Sequence, residues 1–415
     1  MKKTCLTFLL CTLAAAAFAA QDAELNFYQR QAMMKGATSK QDRALAGVLA
    51  RQAKDWFFVH PEHAEAKTAL LMQADYFLRA REEGEALVAL YQVRFYFPSE
   101  QDLTLLSSNV EKAIEELDGK QKAQALKLLA VNTQGMTVPQ QQAALLENLV
   151  KGNLKGVYEP VDALFARFFA QNPSYPDNDK LTLLRGDWHR QNGNFLAAVT
   201  EYKKVNELFA NTPYKAAGLR MSADVYAGDL KDYETATSLY HQVLKQYPDS
   251  NERGVVYKHL AVMEENRKDY SAALAYYDKA IADLGSRPAA YDAWRGKADV
   301  QTRMKDFRLA YDTLLRAADL FSADENKYTD ALNQAADVAK NRLKDLSLQS
   351  AALEKILLLY PSGSKAPEIM YDLAYSYEKQ NKTAQAVEAY KRLIIQYPTD
   401  KYADRAQGRL SRLEK

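Results

Sequence analysis

Both cysteines of this chain, Cys5 and Cys11, lie within the first 11 of its 415 residues. The remainder has no thiol, which excludes a disulfide framework, a thiolate metal site and a cysteine nucleophile. Proline (12) and glycine (16) are scarce, which disfavours turn-rich β architecture and favours helix. There are five histidines: His60, His63, His189, His241 and His259. Only His60-Pro61-Glu62-His63 forms a cluster; Pro61 breaks it and no third ligand stands near, so it reads as a segment end. Gly-rich phosphate loops, Gly-x-Ser-x-Gly and HExxH are missing. Carboxylates are numerous but scattered along helical segments. The expectation is a non-enzyme with no catalytic residue, cofactor or metal.

An excess of charge of one sign is missing too. The formal charge is +2, and setting aside Lys2 and Lys3 leaves 53 basic residues against 53 acidic. That argues against a nucleic-acid binder, which carries a basic surplus. Long apolar runs are absent after the N-terminus, so no membrane span is expected there. The N-terminus itself reads as a secretory signal over 1–19. Lys2 and Lys3 precede an apolar run from Leu6 to Ala17, and Ala17-Phe18-Ala19 supplies small residues for cleavage before Ala20. Phe8, Leu9 and Leu10 before Cys11 are too large for a lipid-attachment motif. Export is therefore expected.

What the chain does have is a period. Ala386 has Ala374 twelve residues before it, Tyr390 four after and Pro398 twelve after. The same frame recurs on Ala86, Ala198, Ala236, Ala273 and Ala310, and more weakly on Leu49, Ala123, Val161 and Gln349. Every step of this ladder is 37 to 39 residues, the mark of an array of supersecondary units. Each tile reads as two helices. In the last tile Ile369, Leu373, Ala374 and Tyr377 share one helical face, and Ala386, Val387, Tyr390, Leu393 and Ile394 share another. Short turns such as Lys268-Asp269 separate the helices, and Pro398 or Pro248 ends the tile. Asp400 or Thr399, and Asp249 or Ser250, are placed to cap the next helix. No tile can bury its own face, so stacking must do it.

A small residue at the eighth tile position, alanine at the twentieth, an aromatic at the twenty-fourth and proline at the thirty-second resemble the tetratricopeptide repeat. The strong tiles start at 179, 217, 254, 291 and 367; Arg185 and Asp224 depart from the pattern at positions seven and eight. The resemblance implies an all-α, right-handed superhelical solenoid of about nine or ten helix-turn-helix repeats. The expected layout is a signal over 1–19, a helical cap with a degenerate repeat over 20–66 and the array over 67–400. A capping helix follows over 401–415. Within the array the tiles are 67–103, 104–141, 142–178, 179–216, 217–253, 254–290, 291–329, 330–366 and 367–400. Those at 104–141, 142–178 and 330–366 are weak. Gln134 to Thr137 and Gly152 to Gly156 interrupt the first two, which predicts a bend there.

The tile ends resemble extracytoplasmic bacterial versions of the repeat, which with the signal implies a periplasmic setting, soluble or peripheral to the outer membrane. The family's first helices line a partner groove. By that register the groove shows Leu183, Asp187 and Arg190, then Lys258 and Val262, then Arg295, Asp299, Thr302 and Arg303, then Tyr371 and Tyr375. Mixed charge with aromatics suits an extended peptide or a partner helix. The expected function is a scaffold that binds a protein or peptide segment of a cell-envelope partner. The alternative is a binder of envelope polymer, peptidoglycan or polysaccharide, through the tyrosine-rich surface. Lys258 matches one position of the family's carboxylate clamp, but Val262 does not match the next, so no such clamp is expected.

Overall fold

The computed structural model describes residues 40–61, 63–98, 109–115 and 117–414. Segment 1–19, where the signal is expected, lies outside them, as does Glu62. The described residues are helical throughout, with no strand. They divide into two compact units, 1–214 and 215–415.

Unit 1 contains α1 (Lys40–Val59), α2 (Ala66–Ala80), α3 (Glu83–Tyr96), α4 (Gly119–Leu128), α5 (Val138–Gly152), α6 (Tyr158–Gln171), α7 (Asn178–Gln191) and α8 (Phe195–Leu208). A simple array buries one face of each second helix. α3 instead is buried continuously from Ala86 to Phe95, and packs on α2, α5 and α6. Its sequence, ALVALYQVRF, is apolar on nearly every side, which suits enclosure rather than an amphipathic surface position. Two of the polar groups it carries inward, on Tyr91 and Arg94, donate to backbone. Tyr91 Oη donates to the Ala125 carbonyl at 2.9 Å and Arg94 Nε to the Leu129 carbonyl at 2.6 Å. Thr133 Oγ1 donates to the Phe95 carbonyl at 2.6 Å. Enclosure is completed by α6 returning to α1: the Arg167 guanidinium lies 3.2 Å from the centre of the Phe58 ring.

Unit 2 keeps the tile period. Its pairs are α9 (Lys215–Gly228) with α10 (Tyr233–Gln246), α11 (Arg253–Asn266) with α12 (Tyr270–Leu284), and α13 (Ala290–Arg303) with α14 (Phe307–Leu320). Then come α15 (Glu325–Val338) with α16 (Leu346–Leu359), α17 (Ala366–Lys379) with α18 (Thr383–Gln396), and the closing helix α19 (Lys401–Leu413). The aromatic at the twenty-fourth position is the keystone. Tyr240, Tyr277 and Tyr390 are 0 to 2% exposed, and Tyr277 lies beneath a small residue of a neighbouring helix. On α13 that residue is Gly296, where a Cβ would lie 2.4 Å from the Tyr277 ring. Ile369, Leu373, Ala374 and Tyr377 are all buried, as are Ala386, Tyr390 and Leu393.

The Lys-Asp turns have a physical cause. Lys231, Lys268, Lys305 and Lys344 adopt left-handed backbone with φ of 58 to 67°, which reverses the chain after each first helix. Asp232, Asp269 and Asp345 then cap the second helix by accepting from Thr235, Ala272 and Ser347 backbone N–H. Between tiles, Asp400 caps α19 by accepting from Tyr402 N at 2.8 Å as expected, whereas the N-cap of α11 is Glu252 without a side-chain cap, and Ser250 accepts from Glu252 N at 3.1 Å in the turn before it. The widest step of the ladder, Ala310 to Gln349, contains a π-helical turn at Ala339–Leu343 that lengthens α15.

Candidate functional site

The first helices of unit 2 present a face of ionic and aromatic side chains. Most of its charge is spent tying one tile to the next. Arg220 of α9 pairs with Asp224 one turn on and reaches Glu252 at 2.5 Å. Asp224 also accepts from Tyr240 Oη at 2.7 Å and has His259 Nε2 at 3.7 Å, that imidazole lying flat on the Tyr240 ring. Lys258 Nζ meets Asp292 at 3.4 Å, Arg295 Nε meets Asp330 at 3.5 Å, and Arg303 reaches back to Glu265 at 3.2 Å. Glu265 accepts from Tyr277 Oη at 3.1 Å. At the far end Arg409 of α19 pairs with Glu378 at 3.0 Å, which accepts from Tyr390 Oη at 3.0 Å.

Asp299 and Asp372 stand apart from this lattice: among the described residues neither closes an ion pair or accepts a hydrogen bond. Surrounding protein raises both above the ordinary carboxylate range; for Asp299 Arg295 opposes the rise, for Asp372 Lys340 does. Asp299 is exposed and Asp372 half-buried.

The residues expected to line the groove fall into three groups. Val262 is 42% exposed, and Asp299 and Arg303 are also exposed, so all three are accessible. Lys258, Arg295, Tyr371 and Tyr375 are half-buried. Tyr371 and Tyr375 stand one helical turn apart with rings parallel at 6.5 Å, and the Arg409 guanidinium lies 4.7 Å from the Tyr375 ring. Thr302 spends its hydroxyl proton on the Ala298 carbonyl at 2.9 Å. The other three belong to α7 in unit 1. Leu183 is 8% exposed and therefore packs inward rather than offering surface, a correction to the register at that tile. Asp187 accepts from Tyr202 Oη at 2.7 Å, and Arg190 is half-buried.

Sequence reasoning passed over Arg220 and Asp224, because the tile at 217 is shifted by one residue, and Asp330 and Asp372, because α15 lies in a weak tile and Asp372 sits beside the expected position. A signal was available. Several of these pairs join residues 32 to 35 apart, about one tile: Arg220 with Glu252, Lys258 with Asp292, and Arg295 with Asp330.

Unit 1 holds a second polar cluster. His189 is 5% exposed; its Nδ1 lies 2.9 Å from Tyr158 Oη and its Nε2 3.5 Å from Asp162. Asp162 also accepts from Arg185 Nε at 2.8 Å, and Arg185 lies 3.5 Å from buried Glu201, which Lys204 meets at 2.7 Å. Burial holds His189 below the ordinary imidazole range, with Asp162 opposing. Its cation partners are already matched to carboxylates, so the cluster is a closed structural network. His60 and His63 both pack against the Trp56 ring, at 5.2 and 5.3 Å. Among the described residues no three His, Cys, Asp or Glu side chains are grouped to hold a metal, and no helix is long and apolar enough to cross a membrane.

The family model described as Tetratricopeptide repeat matches residues 218–250 and 368–400, both within unit 2 and each one α-helical pair. These two helix pairs match the tetratricopeptide repeat. A search of curated protein sequences finds no match. Among solved structures, the C-terminal part of a tetratricopeptide repeat-containing protein from Cytophaga hutchinsonii is similar at 15% identity, with 64% of this chain and 98% of that one covered and a TM-score of 0.44. A tetratricopeptide repeat protein from Parabacteroides merdae is similar at 14% identity, covering 67% and 99%, with a TM-score of 0.37. PilF of Pseudomonas aeruginosa is similar at 15% identity, covering 56% and 97%, with a TM-score of 0.37. The repeat builds a scaffold of paired helices whose typical use is protein–protein contact.

Proposed function

We propose that the protein is an exported, non-enzymatic scaffold that binds a protein or peptide segment of a cell-envelope partner on the first-helix face of unit 2. The observation that carries this reading is the contrast within that face. Neighbouring charges are cross-linked tile to tile, while exposed Asp299 and half-buried Asp372 close no ion pair and accept no hydrogen bond among the described residues. A polar group held partly out of water and unmatched gains most when a partner supplies the missing donor. Val262, Tyr371 and Tyr375 add apolar and aromatic area beside them. Export and the envelope setting are supported by the sequence pattern over 1–19.

The polymer-binding alternative leaned on tyrosine abundance. Tyr202, Tyr240, Tyr277 and Tyr390 are at most 2% exposed, so they supply no stacking surface. A photo-crosslinking residue placed at Val262 tests the proposal in cells, with exposed His241 of α10 as the control position. A discrete protein adduct from Val262 alone is expected. Adducts from both sites, or none from Val262, contradict the reading.

A further inference from the structure

The opposite side of unit 2 carries a feature that the first-helix face does not use. The C-terminal halves of α14, α16 and α18 read LLRAADL, LEKILLL and YKRLIIQ. The tyrosines that end α16 and α18 each bond the loop that follows the second helix of the tile before. Tyr360 Oη donates to the Ser322 carbonyl at 2.5 Å and Tyr397 Oη to the Pro361 carbonyl at 3.3 Å. Leu358 and Ile395 occupy equivalent places and are 85% and 78% exposed; Leu320 and Leu359, beside them, are 44% and 47% exposed. One turn earlier, again at equivalent places, stand Arg316, Lys355 and Arg392, all exposed.

The charge balance of this surface is one-sided. Arg316, Lys355, Lys391 and Arg392 outnumber its two carboxylates: Asp319 lies 3.8 Å from Lys355, and Glu354 accepts from the Tyr377 hydroxyl and keeps its charge. Arg316 and Arg392 close no ion pair among the described residues. The result is a set of protruding aliphatic side chains on α16 and α18, with Asp319 at the equivalent place on α14, edged by cations that recur once per helix pair. A rigid protein partner rewards pockets, and these side chains stand out from the surface instead of lining one. A second copy is disfavoured on charge: a two-fold axis through α16 sets α14 on α18 and brings Arg316 against Arg392. A fluid anionic interface accepts both features, aliphatic tips below the headgroups and guanidinium groups at the phosphates.

We infer that this second-helix edge of unit 2 docks the protein on an anionic lipid surface, leaving the first-helix face free. The test is flotation of the chain from Ala20 onward, which keeps every described residue and lacks the apolar N-terminal run. The probes are vesicles of pure phosphatidylcholine and vesicles with one part phosphatidylglycerol to three of phosphatidylcholine. Binding to the anionic vesicles alone is expected. The double variant Arg316→Gln/Arg392→Gln should lower partitioning about tenfold or more. Leu358→Asp/Ile395→Asp should abolish it, with circular dichroism confirming the helical fold. Equal binding to both vesicles, no binding, or binding unchanged by the arginine variant overturns the inference. So does a lipid-free dimer in sedimentation that Leu358→Asp/Ile395→Asp dissociates, which assigns the edge to a second copy.

Discussion

Two glycines in the helices of unit 2 should answer the same substitution with opposite signs. Gly296 lies inside α13 and Gly408 inside α19. In an unconstrained helix interior, Gly→Ala stabilises by about 1 kcal/mol, because alanine has less backbone freedom to lose. A methyl group added at Gly408 would meet nothing within 4 Å, so that site should realise the gain, reduced to about 0.5 kcal/mol by fraying of the last helix. At Gly296 the added methyl falls 2.4 Å from both Cζ and Oη of Tyr277 and 2.6 Å from Cε1. The tyrosine ring is 2% exposed and its hydroxyl is bonded to Glu265, so it has nowhere to retreat. Overpacking costs about 1–3 kcal/mol, and a contact this short with a ring that cannot move falls at the upper end, so after the propensity gain Gly296→Ala is destabilising by up to about 2 kcal/mol. Urea denaturation followed by circular dichroism, comparing both variants with the parent, reads the two signs. Stabilisation by Gly296→Ala would refute the account of small residues seating tyrosines between tiles.

The other predictions concern turns, tyrosine hydroxyls and one histidine. Lys268→Gly and Lys305→Gly relieve left-handed backbone at φ of 65 and 67° and should each be neutral or stabilising by up to about 1 kcal/mol, whereas replacement by valine should be clearly destabilising in the same denaturation assay. Tyr240→Phe leaves Asp224 with Arg220 but removes a donor to its carboxylate, and should cost about 1–2 kcal/mol. His189 binds its proton less readily folded than unfolded, so the unfolded chain takes up the proton first as pH falls below about 6.5. The stability that neutral His189 confers is present above that pH and is lost on acidification toward its lowered value. Its neighbours Asp162, Tyr158, Arg185, Glu201 and Lys204 remain in His189→Gln, so the difference in acid sensitivity between parent and variant isolates the imidazole. A variant with the parent's full slope would contradict this.

How much of this was readable in advance differs between the units. In unit 2 the period carried nearly everything: small residues, tyrosines, Lys-Asp turns and prolines recur because each tile meets its neighbours in the same way. Two features there escaped. Tile 330–366 lacks a small residue at Gln349 and gains a π-helical turn, so Asp330 received no place in the expected groove, and Asp372 of the next tile stands one residue from the expected Tyr371. The tile at 217 slips by one residue, which hid Arg220 and Asp224. In unit 1 the failure was of another kind. Tile spacing predicts neighbours one repeat away, but α6 returns to α1, with Gln171 donating to the Phe58 carbonyl 113 residues earlier at 3.4 Å. No local period encodes such a contact. The all-apolar composition of α3 was the available sign that it would be enclosed, and likewise the inward turn of Leu183 depends on packing rather than on register.

The central claim is that the first-helix face of unit 2 holds a protein partner, and affinity capture tests it most directly. The chain from Ala20 onward is immobilised and offered solubilised envelope extract, beside a variant with Arg295, Asp299, Tyr371 and Tyr375 replaced by alanine and shown by circular dichroism to be folded. The account predicts a protein retained by the parent and lost by the variant. Equal retention by both, or retention of polysaccharide with no protein, contradicts it.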